Sequence, residues 1–149
     1  MFRIEALPIS VRTVTVCARL ALAASFLAAV TDRLGFWGPN GTSNVAWGDM
    51  RHFQEYAAEL NPWFPTSVIP FISWFVTAAE TSLSLGLITG FRIRLVAFLS
   101  GLLLLAFAIG MIAGTGLKAA LNASVFSASA CGFLLWRCLP TDAGTSGRG

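Results

Sequence analysis

Four long apolar stretches dominate the pattern along the chain, covering residues 11–31, 66–89, 93–115 and 121–139. A membrane-spanning helix needs about 20 mostly apolar residues, so each stretch predicts one transmembrane helix. Only residues 90–92 separate the second stretch from the third, which predicts an antiparallel hairpin. The predicted fold is therefore all-α, a four-transmembrane-helix bundle that forms one membrane domain over residues 1–140. Residues 141–149 read as a disordered tail.

The loop between the first and second apolar stretches carries a shorter helical pattern. After a turn-rich segment at 35–41, apolar side chains recur at helical spacing and charged ones fall mostly between them. The apolar set is Trp47, Met50, Phe53, Ala57 and Leu60. This predicts an extra amphipathic helix on the outer membrane surface, with Asn44 near its N-cap. Trp37, Trp47 and Trp63 are predicted to form an interfacial belt. The helix is either an anchoring cap over the bundle or a lid over a lateral ligand pocket.

Composition supports the membrane location. Hydrophobic residues make up 56% of the 149 residues, charged residues only 11%, and the mean hydropathy is +0.73. A soluble domain carries about 25% charged residues, so a soluble enzyme, a disulfide scaffold and a disordered chain are all excluded. The net charge of +3 comes from scattered basic residues with no basic run, so no nucleic-acid surface is predicted.

The loop charges predict an orientation. Six basic residues fall on one side of the predicted bundle: Arg3, Arg12, Arg92, Arg94, Arg137 and Arg148. Three fall on the other, where four carboxylates dilute them: Arg33, Arg51 and Lys118. The positive-inside rule then places both termini in the cytoplasm, with a bacterial cytoplasmic membrane as the expected location. The alternative, that 11–31 is a cleaved signal peptide, is disfavoured by Arg19 inside the stretch.

Two ionisable residues fall inside the predicted spans, and an intramembrane charge is a functional hypothesis by default. Arg19 lies eight residues from the inner end of the first helix, and Glu80 lies nine from the inner end of the second. These matched depths predict that Arg19 and Glu80 form a buried ion pair. Ser73, Thr77 and Ser84 share a helix face with Glu80, and that polar face is predicted to point into the bundle. The pair and its hydroxyls either hold the helices together or bind the head of a lipophilic ligand such as a quinone.

Further polar candidates lie at the predicted outer end. Asp32 and Arg33 end the first helix and are predicted to form a surface pair, with a cavity mouth as the alternative. Asn122 is the outermost polar group of the fourth span. His52 is the only histidine in the sequence, so no metal site is predicted.

Small residues recur every four positions in three of the predicted spans, as in Gly110-Met-Ile-Ala-Gly114. Such spacing lets helices approach closely. Four helices in one chain favour packing within the chain, and a homo-oligomer stays open.

The sequence resembles the DoxX family of small four-helix membrane proteins. The resemblance rests on Arg19-Leu-Ala-Leu-Ala-Ala-Ser-Phe-Leu, Asp32-Arg33-Leu-Gly, Glu80 with Leu-Ile-Thr-Gly90-Phe-Arg-Ile-Arg94 behind it, Ser100-Gly-Leu-Leu-Leu-Leu and Asn122-Ala-Ser-Val-Phe-Ser-Ala-Ser. Some relatives are the small subunit of a thiosulfate:quinone oxidoreductase, and others are linked to membrane-associated redox or detoxification complexes. The resemblance carries over only Arg19 and Glu80, as matches to typical intramembrane polar residues of the family.

The resemblance implies an accessory subunit of a membrane redox complex, with a quinone-like lipid as candidate ligand and redox subunits as candidate partners. No catalytic, cofactor or CxxC motif is present, so the chain is at most one subunit of a quinone-linked oxidoreductase. A non-enzymatic structural or assembly factor is the first alternative. A small transporter is the second alternative, and it is disfavoured because the predicted spans contain few charged residues.

Overall fold

The computed structural model describes residues 10–139, and these fold into six helices without strands. The helices are α1 (Val11–Arg33), α2 (Met50–Leu60), α3 (Ile69–Thr89), α4 (Ile93–Thr115), α5 (Leu117–Asn122) and α6 (Val125–Cys138). The disordered tail predicted at 141–149 lies outside the described residues. Helices α1, α3 and α4 are long and apolar enough to cross a membrane, so the chain is an integral membrane protein.

The three long helices follow the predicted spans closely. α1 extends two residues further than predicted, α3 starts three residues later, and α4 matches its prediction. Pro70 lies in the first turn of α3, where its missing N–H removes no helical hydrogen bond. Gly90 ends α3 at φ 79°, a left-handed conformation that favours glycine, and the chain then turns directly into α4.

The predicted fourth span is divided in two. Where one helix was expected over 121–139, the chain turns at Ala123–Ser124 and separates the short α5 from α6. Ser124 has φ 56°, so the regular helix is interrupted there. The 14 residues of α6 rise about 21 Å, less than the roughly 30 Å of a hydrocarbon core.

The extra helix in the outer loop is confirmed as α2. Its apolar face packs inward through Phe53 and Ala57, and the charged side chains of Arg51 and Glu55 are exposed. The predicted cap at Asn44 is wrong, because Asp49 is the N-cap and accepts a hydrogen bond from the backbone of His52 at 2.9 Å. That hydrogen bond holds the pKa of Asp49 below its usual range, so this cap loses its charge only when the pH falls through the lowered value.

α1 and α3 are antiparallel and are shifted along their axes. Ser84 Oγ donates to the Ala23 carbonyl oxygen at 3.1 Å, which pairs position 23 with position 84. Val11, twelve residues before Ala23, therefore lies level with position 96, about seven residues or roughly 10 Å beyond the end of α3. By the same count, Arg33 lies level with position 74, about five residues inside the start of α3. This shift places the C-terminal end of α1 below the level where α3 begins.

The core runs between α1, α3, α4 and α6. Its buried side chains are Leu22, Ala23, Phe26, Leu83, Leu87, Ala97, Leu104 and Leu135. The most extensive contact joins α4 to α6. There Ser129 Oγ donates to the Gly101 carbonyl oxygen at 2.8 Å, and these helices are antiparallel as well. Large apolar side chains such as Phe71, Phe75 and Leu134 point outward, as expected for helices that face lipid.

Candidate functional site

Glu80 forms its ion pair with Arg33. Both oxygens of the Glu80 carboxylate contact the Arg33 guanidinium: Nη1 bonds Oε2, and Nη2 lies 3.2 Å from Oε1. The Thr77 hydroxyl accepts a further hydrogen bond from Arg33 Nη1 at 3.2 Å. Arg33 is 3% exposed and Glu80 2% exposed, so the pair is sealed from the surroundings. We call Arg33, Glu80 and Thr77 the ion-pair site.

The predicted Arg19–Glu80 pair is wrong. Arg19 Nε donates to the Leu87 carbonyl oxygen at 2.9 Å, and its Nη2 donates to the Ile88 carbonyl oxygen at 3.2 Å. Helical side chains lean towards the N-terminus of their own helix. Arg19 therefore leans away from Glu80 and binds carbonyls that the last turn of α3 leaves unpaired. Arg33 leans inward along α1 and Glu80 leans outward along α3, so these two side chains meet.

The polar face predicted for the second span is confirmed as an inward-facing surface. Ser73, Thr77 and Ser84 are all buried, each donating to a backbone carbonyl oxygen. The carbonyl that Ser84 reaches belongs to α1, so this hydroxyl also joins the two helices. Asn122 is different: it is exposed, and its helix α5 contacts α4 and α6. The structure does not bring Asn122 to the ion-pair site.

Asp32 and Arg33 are buried, so the predicted surface pair is wrong. The C-terminal end of α1 places both residues beneath the cap, which we define as residues 34–60, the outer loop together with α2. The Asp32 carboxylate accepts three backbone N–H groups of the loop, from Ala46 at 2.9 Å, Trp47 at 3.1 Å and Gly48 at 3.3 Å. The two neighbouring side chains thus have separate partners: Asp32 binds the cap and Arg33 binds α3.

Two aromatic rings of the cap cover the guanidinium. Arg33 Cζ lies 3.7 Å from the centre of the Phe53 ring and 5.1 Å from that of Trp47. The two rings meet edge to face, with 5.0 Å between their centres. Cation–π contact of this kind stabilises a desolvated guanidinium. Trp47 was predicted to lie in the interfacial belt, and its contact with Arg33 shows that it faces inward. Trp37 and Trp63 are exposed, and their place in an interfacial belt stays a prediction.

One buried polar atom of the site is unsatisfied. Within residues 10–139, Nε of Arg33 has no hydrogen-bond partner although it is shielded from solvent. An unpaired buried donor costs about 1–3 kcal/mol, so an incoming acceptor oxygen would be stabilised there. The sequence pattern does not indicate Arg33 as the partner of Glu80, because equal depths follow from it only if Val11 and Thr89 lie level, and the shift between α1 and α3 separates them.

A shallow cleft of about 420 Å³ opens on the outer side of the cap. It is lined by Asn40, Ala46, Trp47, His52, Glu55, Tyr56 and Glu59. Trp47 therefore separates this cleft from Arg33, which it contacts on the inner side. Desolvation by burial raises the pKa of the Tyr56 hydroxyl. The described residues contain no group of three or more His, Cys, Asp or Glu side chains that could hold a metal ion.

We predict that Asp32 keeps the cap closed. In Asp32→Ala, three loop N–H groups lose a charged acceptor, and hydrogen bonds to charged groups contribute about 1.5–3 kcal/mol. Hydrogen–deuterium exchange at residues 46–48 should then accelerate at least about tenfold. Asp49→Ala is the matched control, since it removes the α2 N-cap but leaves the Asp32 bonds intact. Unchanged exchange at 46–48 in Asp32→Ala would show that the loop is held by other contacts.

Comparison with known proteins yields no match, whether to a family model, a curated protein or a solved structure.

Proposed function

We propose that the chain is a DoxX-like accessory protein of a membrane redox complex, and that its ion-pair site binds the carbonyl head of a quinone-like lipid beneath the cap. In this proposal α5 and α6 together form a fourth membrane span, and both termini are cytoplasmic. The observation that carries the proposal is the unpaired Arg33 Nε–H. A quinone carbonyl is an acceptor that suits it.

The surroundings of that donor support a planar, apolar ligand. Phe53 and Trp47 lie against the guanidinium, and aromatic side chains dominate the lining of many small-molecule sites. Ligand entry requires the cap to separate from α1, because Arg33 and Glu80 are closed off in the structure. The hydrogen bonds of Asp32 hold the cap against the end of α1, so they must break before a ligand can enter.

Binding of a short-chain benzoquinone to the protein in nanodiscs tests the proposal. Saturable quenching of tryptophan fluorescence is expected, since Trp47 lies beside Arg33. Arg33→Lys keeps a positive charge but removes the Nε donor, and it should weaken binding at least about tenfold, the equivalent of one lost hydrogen bond. Arg51→Lys makes the same exchange on the exposed face of α2 and should bind like wild type.

Non-saturable quenching in wild type, or equal affinity in Arg33→Lys, would refute quinone binding at this site. Because Arg33→Lys could also perturb folding, its thermal unfolding is compared with that of wild type. Photocrosslinking of wild type with an azido-benzoquinone gives an independent measurement, with Trp47 and Phe53 as the expected labelled residues.

A structural or assembly factor is the second candidate, and the completeness of the ion pair favours it. The Glu80 carboxylate is already bound through both oxygens, and the cleft on the cap is not lined by Arg33 or Glu80. Co-purification in mild detergent separates the two. Redox subunits or bound quinone support the accessory role, and a client protein alone supports the assembly role. Measurable solute flux with neither result supports a transporter.

A further inference from the structure

Basic side chains gather at the end of the bundle opposite the cap, which we call the arginine end. Position 19 of α1 lies level with Leu87 and Ile88, and Arg92 belongs to the turn between α3 and α4. Ser129 of α6 pairs with Gly101 of the antiparallel α4. Arg137, eight residues after Ser129, therefore lies level with position 93, next to Arg94. Arg19, Arg92, Arg94 and Arg137 therefore lie within about two helical turns of depth. Arg12 lies further out on the projecting start of α1.

The carboxylates of the described chain lie elsewhere. Asp32, Asp49, Glu55 and Glu59 belong to the cap or are bound to it. The nearest to the arginine end is Glu80, nine residues inside the end of α3 and paired with Arg33. The segments 1–9 and 140–149 each contain one arginine and one acidic residue, so their side chains add no net charge. The arginine end therefore carries an excess of about five positive charges.

One of these arginines has a fixed position. Two carbonyl oxygens of α3 hold the Arg19 guanidinium, and a Cβ at Gly90 would come within 3.0 Å of its Nη2. The other guanidiniums of the set form no salt bridge with any residue in 10–139. Apolar side chains adjoin them, with Phe91 and Leu95 exposed on the hairpin and Trp136 partly exposed on α6.

We propose that the arginine end binds anionic phospholipid, its guanidiniums contacting the phosphate groups while the acyl chains lie along the exposed apolar faces of α4 and α6. Arginine matches phosphate geometry through bidentate hydrogen bonds. Basic groups at a membrane surface attract anionic lipid, each with an effect of several-fold on affinity. This inference does not depend on the quinone proposal, because it concerns the opposite end of the bundle.

Native mass spectrometry of the full chain, released from nanodiscs of phosphatidylcholine and phosphatidylglycerol, tests the inference. Wild type should retain phosphatidylglycerol in preference to phosphatidylcholine, and Arg92→Gln/Arg94→Gln should reduce this preference about tenfold. The matched control is Arg51→Gln/Lys118→Gln, which removes two positive charges at the capped end and should keep the preference. If the hairpin variant fails to fold, Arg137→Gln is the second variant, since that side chain is exposed at the end of α6.

Three results would overturn the inference. The first is equal retention of both lipids by wild type. The second is an equal loss in both double variants, which would mean that only net charge matters. The third is displacement of both lipids alike by inorganic phosphate, to a greater extent than by chloride at equal ionic strength. That result would indicate that the arginine end binds a soluble phosphorylated ligand. The inference is supported if the preference for phosphatidylglycerol is kept in the capped-end variant and reduced in the hairpin variant.

Discussion

Glu80→Leu is expected to destabilise the protein by about 3–5 kcal/mol, the range found when one partner of a buried ion pair is removed. The Arg33 guanidinium would remain beneath Phe53 and Trp47, closed off from water and without its counter-charge. Thr77 would be its one remaining hydrogen-bond partner among those in the structure. Leucine is close to glutamate in size, so the loss arises from the unpaired charge and not from a cavity.

The double variant Arg33→Met/Glu80→Leu distinguishes this cause from general damage to the core. Replacing both charges with apolar groups of similar volume is often neutral or stabilising, so the double variant should regain most of the lost stability. The free energy of unfolding in mixed micelles, followed by circular dichroism, gives the coupling energy of the pair. Glu55→Leu is the control, since the exposed Arg51–Glu55 pair contributes at most about 1 kcal/mol. A double variant no more stable than Glu80→Leu would contradict the expectation.

The membrane helices could be predicted from sequence because the membrane imposes a length. The apolar stretches at 11–31 and 93–115 predicted the ends of α1 and α4 to within two residues of the observed ends. The spacing of Phe53 and Ala57 identified α2. The break at Ala123–Ser124 could not be found in this way. Neither residue is Gly or Pro, and the polar Asn122 and Ser124 stand among apolar residues, so the pattern predicted one continuous span.

Only one side of the ion-pair site could be predicted from the sequence. Glu80 and its polar helix face follow from spacing within one helix. The partner of Glu80 depends on how far α1 slides along α3, and each span tolerates a shift of several residues without changing its apolar content. Two physical rules narrow the choice of partner: a side chain leans towards the N-terminus of its own helix, and an arginine that lies level with the C-terminus of a neighbouring helix finds unpaired carbonyls there. Applied to an antiparallel pair, they favour Arg33 over Arg19.

The spacing of the glycines also fails to show which helices pack together. It identifies small residues but not the contact that requires them. A Cβ added at Gly110 would have no neighbouring atom of residues 10–139 within 4 Å, so this glycine serves no close approach in that part of the chain. A Cβ at Gly114 would collide with the backbone of Glu59 and Leu60, which places the end of α2 directly against α4. A Cβ at Gly132 of α6 would meet the backbone of Gly101 and Ala97 in α4, so these two helices approach closely there.

Gly132→Ala is therefore expected to destabilise the protein by about 1–3 kcal/mol, as overpacking of a close interface does. The new methyl carbon would lie 2.8 Å from the Gly101 nitrogen and 3.1 Å from the Ala97 carbonyl oxygen, and backbone atoms cannot rotate aside. α4 and α6 would have to separate, which weakens the hydrogen bond from Ser129 to Gly101. Unfolding in mixed micelles measures the loss.

Gly110→Ala is the matched control for this substitution, because it adds the same methyl group to a membrane helix where the structure leaves space. Since alanine favours the helix over glycine by about 1 kcal/mol, the control should be neutral or stabilising. Equal destabilisation by both substitutions would mean that Gly110 also packs against another chain, and the oligomeric state of the two variants would then differ. A loss in Gly132→Ala without one in Gly110→Ala shows that the α4–α6 contact requires glycine.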